Sequence, residues 1–379
     1  MIGKNMPLIY WYEKAFCNED IHICTSMELT NIDARTLFED NNALQFVRNY
    51  FENLRSSYAL KSPAHKFLEV LDRITEFRAQ HTVASFLLGV VMKEELSLDT
   101  RDWIRIYDTK SSNASFGFFW SLICLTHDVA YNWERNSKKM VAQTPTVEAF
   151  CQYNEIQYNL LNESKNSELI RNYYRYRAAV SEKIDHGIAG AILIYDALMP
   201  FYYEGIQIPS LNLCGFQLRK NFPDFCLRIA ETVALHNMWR ATDKTIDTYK
   251  EYHLDALIPD GSGREVVFYK DDMLLFLLGL IDTIDPIKGF CSTEGRRVRL
   301  SADDVLDNFC IQFIKRGRTK KIYMEFANSN FNGKYTTDIA GMENWLGVSV
   351  RQLTHDKVEI SIRMDSMDQL ERDGSPKSA

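Results

Sequence analysis

The sequence predicts a mainly α-helical protein with a small α+β module towards its C-terminal end. Three observations predict it. Apolar residues recur at three- and four-residue steps along Phe67, Val70, Leu71, Ile74, Phe77, Ala84, Leu88 and Val91, the stripe of a core-facing helix. Two nearly all-apolar runs, Ser115–Thr126 and Met273–Ile284, are about 12 residues each, enough for buried helices and short of the ~20 that span a bilayer. Strict alternation at Val358, Ile360, Ile362 and Met364 signals a strand, and such signals gather after Phe290.

In chain order, residues 1–60 mix short helical patterns with turns such as Asn41-Asn42 and read as an N-terminal helical cap. Residues 61–292 read as one helical body. It takes in the stripe above, a helix over Phe116–Tyr131, and a more polar stretch, Asn132–Asp185, with helices of its own. A helix opening at His186 follows, then one over Phe222–Trp239, then the buried helix Met273–Ile284, stopped by Pro286. The helix at His186 starts with Gly187, Ala189, Gly190 and Ala191, whose small side chains let another backbone come close. The turn Pro259-Asp260-Gly261-Ser262-Gly263 lacks the lysine spacing of a phosphate-binding loop. Residues 293–365 read as the α+β module, with strands Asn308–Ile314 and Lys321–Phe326 about the polar turn Lys315-Arg316-Gly317-Arg318-Thr319. Residues 366–379, charged and containing serine and glycine, read as a flexible tail.

A 46% apolar and 12% aromatic composition supplies a sizeable core. The formal charge of −7 argues against long nucleic acid as a partner. It does not exclude small anionic substrates, because a metal ion can dominate the local field. The eight cysteines, Cys17, Cys24, Cys124, Cys151, Cys214, Cys226, Cys291 and Cys310, form no C-x-x-C pair, and several lie in apolar segments as buried free thiols do. No signal-peptide pattern opens the sequence. The expectation is a soluble protein of a reducing, cytoplasmic compartment with no membrane partner.

Six polar side chains stand out because they fall in apolar, helix-like stretches: His81, the adjacent His127-Asp128, His186, His236 and Asp282. A lone buried histidine is more often a satisfied core residue than a ligand, but six such groups on separate helices point to a shared cation. Imidazole nitrogens and carboxylate oxygens suit one or two divalent transition ions, Mn, Fe, Co, Ni or Zn, with Mg less suited to imidazole. Neighbours on a helix diverge by ~100°, so His127 and Asp128 reach one ion only near a helix end. The turn-like Tyr131-Asn132 supplies such an end.

The order His81, Thr126-His127-Asp128-Val129-Ala130, then Leu280-Ile281-Asp282 resembles the H…HD…D pattern of the HD-domain phosphohydrolase superfamily. Asp185-His186-Gly187-Ile188-Ala189-Gly190-Ala191 is similar to the H-x-x-x-G-A segment of HD-GYP-type phosphodiesterases. Ala234-Leu235-His236-Asn237 resembles their H-H segment, and Asp282-Thr283-Ile284-Asp285 their A-D-x-x-D-A segment. The resemblance spans His65 to Phe290 and implies a helical HD-domain bundle. It implies a first metal on His81, His127, Asp128 and Asp282. His186 and His236 would complete a second position, with Asp128 bridging. Asp128, His186 and His236 are then the candidate catalytic residues, and a hydroxide formed on the cation would attack phosphorus. The pattern departs at Asn237, where the family has a second histidine, and at Tyr131, where a lysine is common. It lacks the G-Y-P loop, which points away from cyclic-di-GMP, and it lacks H-D-x-x-H.

The run Arg171, Tyr173, Tyr174, Arg175, Tyr176, Arg177 reads in two ways: as a phosphate clamp with base-stacking rings, or as a helix with an aromatic inner stripe and an arginine outer face. Lys183, Arg175, Arg177, Arg240 and Tyr131 are the candidate substrate contacts, with Lys288 also close to a ligand in sequence. His355-Asp356, outside any apolar helix, reads as solvated surface, and Lys315–Lys321 as a charged turn. The expected activity is hydrolysis of a small nucleotide, most simply a (deoxy)nucleotide phosphate. The alternatives are a phosphodiesterase of a cyclic or oligonucleotide signal and a non-catalytic nucleotide sensor. A protein partner on the C-terminal module, or a homo-oligomer, stays open.

Overall fold

A computed structural model describes residues 5–17, 33–57, 64–98, 116–135, 138–204, 222–260, 266–291, 300–317, 319–326 and 333–364. The expected tail 366–379, the Gly261–Gly263 part of the turn, His22, Cys24 and Cys214 lie outside the described residues. The protein is mainly helical, with one antiparallel sheet of five strands. Among the described residues no helix is long and apolar enough to cross a membrane. The six described cysteines are free, four of them buried.

The N-terminal segment gives β1 (Met6–Pro7), α1 (Leu8–Phe16) and α2 (Asn42–Ser57). In α1 the buried residues are Leu8, Trp11, Tyr12 and Ala15, the spacing of a single core-facing stripe. Next come α3 (Ala64–Leu71) and α4 (Glu76–Glu95). The apolar stripe that reads as continuous from Phe67 to Val91 is broken between them. Thr75 is extended, with φ −80° and ψ 154°, and its side chain accepts a hydrogen bond from the Arg78 N–H, which starts a new helix. α4 is buried at every position from Arg78 to Met92 and packs against α1, α2 and the helices that follow. A helix buried all round is the central one of its bundle.

α5 (Phe116–Thr126) packs on α4, and a Cβ at Gly89 of α4 would fall 2.1 Å from the indole nitrogen of Trp120. The sequence places the end of this helix at Tyr131-Asn132. It ends instead at Thr126, residues 127–130 form the turn, and Tyr131 opens a short helix, α6 (Tyr131–Arg135). The reason is local. The Thr126 hydroxyl donates back to Leu122 O, and the side chains of His127 and Asp128 are engaged elsewhere.

After three short helices between Lys138 and Glu163 come α7 (Ser167–Ser181), α8 (His186–Tyr203) and α9 (Phe222–Leu235). α8 and α9 lie tightly together, as the small residues at the start of α8 predict: a Cβ at Gly187 would fall 2.9 Å from Val233 O and 3.0 Å from His236 Cε1. α9 stops at Leu235, just before His236. α10 (Met273–Ile284) has the bounds the sequence predicts, and α11 (Pro286–Cys291) follows with proline at its first position.

The strands β2 (Phe309–Arg316), β3 (Thr319–Phe326), β4 (Val348–Thr354) and β5 (Lys357–Ile362) complete a sheet of order β1-β2-β3-β5-β4. Ile311 pairs with Met324, Ile322 with Ile360 and Val348 with Ile362, so one face is apolar. Gly317, at φ +57°, makes the β2–β3 turn that glycine allows. Two strands carry no clear alternation: β1 has two residues, and β4 is an edge strand whose side chains are exposed beyond Val350. The sheet does not stand apart from the body. Met6–Pro7 pairs with Cys310–Ile311, Trp11 donates to Ile311 O at 2.8 Å, and one core runs from Leu8 to Ile362. On α10 a Cβ at Gly279 would fall 2.4 Å from the Trp345 ring, and Tyr335 OH donates to Ile284 O at 2.5 Å. The C-terminal elements therefore press on the helix that carries Asp282.

Candidate metal centre

One helix and three helix ends meet around one cluster. α4 brings His81, the turn after α5 brings His127 and Asp128, the start of α8 brings His186, and the turn after α9 brings His236. Two sets of potential ligand atoms lie within 4.8 Å of one another, His81–His127–Asp128 and Asp128–His186–His236, and all five residues are buried. Asp128 belongs to both. Asp282, from the last turns of α10, joins the first set: its Oδ1 lies 2.9 Å from His81 Nε2 and 3.4 Å from His127 Nε2.

Each of the four histidines is tied at Nδ1. His127 Nδ1 bonds to Cys124 O at 2.7 Å and His236 Nδ1 to Val233 O at 2.6 Å, the same reach back of three residues at two helix ends. His81 Nδ1 bonds to Asp285 Oδ2 at 2.6 Å, and His186 Nδ1 to a Glu134 oxygen. The remaining nitrogen, Nε2, is left for the cluster: His81 and His127 bring theirs to 3.2 Å of each other, and His186 Nε2 lies 3.1 Å from Asp128 Oδ1. Metal-binding histidines carry this second hydrogen bond to a carbonyl or carboxylate, which fixes the ring and its tautomer.

Charges inside the cluster are balanced by neighbours. Burial would raise the pKa of Asp128, but Arg78, His127 and His186 outweigh it and hold the carboxyl well below the usual range. Arg78 donates to Asp128 Oδ2 at 2.6 Å and lies 3.3 Å from the Tyr131 ring centroid. Tyr131 also meets His186 edge-on, at 5.2 Å between ring centroids. Asp282 is likewise held low, against burial, by Lys288, His127 and His81. The second set splits its histidines. Burial opposes a charge on His186, yet Asp128 and Glu134 push its pKa up to about 10. Burial, with His127 and His186 nearby, takes His236 down to about 3. Glu134, despite burial, is held at about 2 by His186, Arg177 and Lys183.

The other expected contacts divide. Arg177 donates to Glu134 at 2.7 Å, and Lys183 lies 3.6 Å from the same oxygen with its side chain 49% exposed, so both stand beside the cluster through Glu134. Arg175 does not. It is exposed, and two residues along a helix set side chains ~200° apart, so the face that gives Arg177 to Glu134 turns Arg175 away. Arg240 is half-buried in the segment after His236. In the arginine–tyrosine run Tyr173 and Tyr174 are buried and Arg171 pairs with Glu148, an aromatic inner stripe with Arg171 and Arg175 outward and Arg177 turned in to Glu134. Asn237 Nδ2 donates to Asp185 Oδ2 at 3.1 Å, and Asp185 caps α8 through the Ile188 N–H, so Asn237 steadies the turn that presents His186. His355 is exposed in the β4–β5 turn, away from the cluster.

Arg78 and Glu134 are cluster residues that sequence patterns did not mark. Arg78 stands one turn before His81 on the same buried helix, and that spacing is its one signal. Glu134 looks like any glutamate of a short polar helix and acquires its place from tertiary contacts. Compared with models of known protein families, with curated proteins and with solved structures, the chain matches none.

Proposed function

We propose that this chain is a metal-dependent phosphohydrolase of the HD-domain type acting on a small nucleotide, most simply a (deoxy)nucleotide phosphate. The observation that carries the reading is the arrangement of four buried histidines, each fixed at Nδ1, around a carboxylate that two ligand sets share. His81 and His127 bring their Nε2 atoms to 3.2 Å of each other beside Asp282 Oδ1, so three atoms of the kinds that bind transition metals converge on one point. The chain order of these residues is that of the superfamily. The donor set suits Mn, Fe, Co, Ni or Zn better than Mg.

His81, His127, Asp128 and Asp282 would hold one ion; Asp128, His186 and His236 a second. A divalent ion there supplies an activated water and a Lewis acid for a phosphoryl oxygen. Asp128, buried and ionised, aligns both positions. Asp285, Glu134 and the carbonyls of Cys124 and Val233 orient the imidazoles. Tyr131 packs against both Arg78 and His186 beside the site. The second ligand set favours a second reading, a phosphodiesterase of a cyclic or oligonucleotide signal, because paired ions stabilise both attacking and leaving oxygens.

Turnover of a panel of nucleoside mono-, di- and triphosphates and of cyclic and linear dinucleotides, with each metal and with products identified, separates the readings. Release of phosphate or pyrophosphate from mononucleotides supports the first, and cleavage of dinucleotides supports the second. Metal-loaded protein that binds nucleotide without turnover is a sensor, and overturns both.

A further inference from the structure

We propose that Lys288 is a metal-gated phosphate contact: its ammonium rests on Asp282 in place of a metal ion and turns to the substrate when an ion takes that place. The proposal rests on the metal-dependent phosphohydrolase reading. A single oxygen, Asp282 Oδ1, accepts from Lys288 Nζ at 2.6 Å while lying 2.9 Å from His81 Nε2 and 3.4 Å from His127 Nε2. This is the oxygen that faces the two imidazole nitrogens, so an ion held by all three groups meets the ammonium on the same atom. Two cations that close repel, and the divalent one keeps the oxygen.

The ammonium can leave without disturbing the backbone. The Lys288 N–H donates to Asp285 Oδ2 at 3.1 Å, which fixes the residue at the start of α11, and only the flexible four-carbon stem has to swing. The direction of that swing is set by exposure. The side chains of His81 and His127 are 0% exposed, that of Asp282 15% and that of Lys288 36%, so around this first ligand set exposure rises toward Lys288. Arg78, by contrast, is held by Asp128 and the Tyr131 ring. An ammonium that swings toward solvent from Asp282 meets a phosphoryl oxygen with a charge-assisted hydrogen bond. Metal and phosphate binding are then coupled through Lys288, and the coupling is reciprocal.

The test is calorimetric titration of the metal-stripped full chain with Mn²⁺ and with inorganic phosphate, each with and without the other, for the wild type, Lys288→Gln and Lys288→Arg. In the wild type, Mn²⁺ should tighten phosphate binding by about tenfold or more, the worth of one charge-assisted hydrogen bond. Lys288→Gln should bind Mn²⁺ as tightly or more tightly and lose about tenfold of that gain, the part beyond direct metal–phosphate contact, and Lys288→Arg should restore it. A Lys288→Gln chain that binds Mn²⁺ more weakly, or keeps the full gain in phosphate affinity, overturns the proposal and leaves the phosphohydrolase reading standing. A wild-type chain that takes up no Mn²⁺ overturns both.

Discussion

On the Asp282 side of the cluster, His81 and His127 are wholly buried and are held by Asp285, itself fully buried, and by the Cys124 carbonyl. On the Glu134 side, His186 leans on a carboxylate that also takes Arg177 from α7 and faces Lys183, whose side chain is half exposed. The first half is built into the core: Asp285 caps α11 as well as holding His81, and Trp345 and Tyr335 close over the helix behind. The second half hangs on a charge network that reaches the surface. The difference teaches that the two ligand sets, although they share Asp128, answer to different parts of the molecule, and that they can be damaged separately.

The largest expected effect comes from the residue that breaks the distinction. Asp128→Asn keeps the shape and removes the charge common to both sets. Metal affinity should fall by more than about 100-fold at both positions, beyond what loss of an outer hydrogen bond produces. Equilibrium dialysis of the variant checks this, and retention of either position would mean that Asp128 is not shared. Asn is preferable to Ala here, because Asp128→Ala also deletes the acceptor of the buried Arg78 hydrogen bond, at a cost of about 3–5 kcal/mol.

Next is Glu134→Gln, which should sharpen the comparison. It weakens the hold on His186 and on Arg177, so affinity at the second position should drop by about 10- to 100-fold while the first is unchanged. Equal losses at both positions in a Mn²⁺ titration would merge the halves into one unit. From the opposite side, Gly279→Ala drives a methyl group into the Trp345 ring and should destabilise the fold by about 1–3 kcal/mol. Denaturant unfolding measures it. A neutral result would mean that the C-terminal elements do not brace α10.

The last is a control, away from the cluster. Asp196 lies on α8, as His186 does, but ten residues further along, ~15 Å. Burial pushes its pKa from 3.8 up to about 6, against two backbone N–H bonds from Gln157 and Tyr158. A carboxyl raised by burial penalises the folded state where it is ionised, above pH 6, and the penalty fades as pH falls towards 4. Asp196→Asn should therefore stabilise the protein at pH 8 by about 1–3 kcal/mol, with the gain vanishing near pH 4 and metal affinity untouched. Thermal unfolding across that range decides it, and a gain that persists at pH 4 would place the effect elsewhere.

The buried histidine–aspartate cluster could be read from the chain because each member interrupts an apolar helical pattern, and interruption is a local property. The bounds of α10 were legible for the same reason, since Asp272 caps it and Pro286 follows it. What could not be read depends on contacts between distant segments. Glu134 is defined by Arg177, 43 residues on, and Asn237 by Asp185. The strand Met6–Pro7 is set by its pairing to Ile311 and has no periodicity of its own. Arg78 falls between these cases: its spacing from His81 is visible, but its partner Asp128 is not.

The central claim is that this cluster exists to hold divalent metal. Elemental analysis of the purified full chain, followed by chelation and re-titration with Mn²⁺ or Zn²⁺, tests it most directly. The account predicts at least one transition-metal ion per chain, tight re-binding after stripping, and loss of that binding in His127→Ala. A chain that carries no metal, takes up none, and behaves the same with His127 replaced would contradict it.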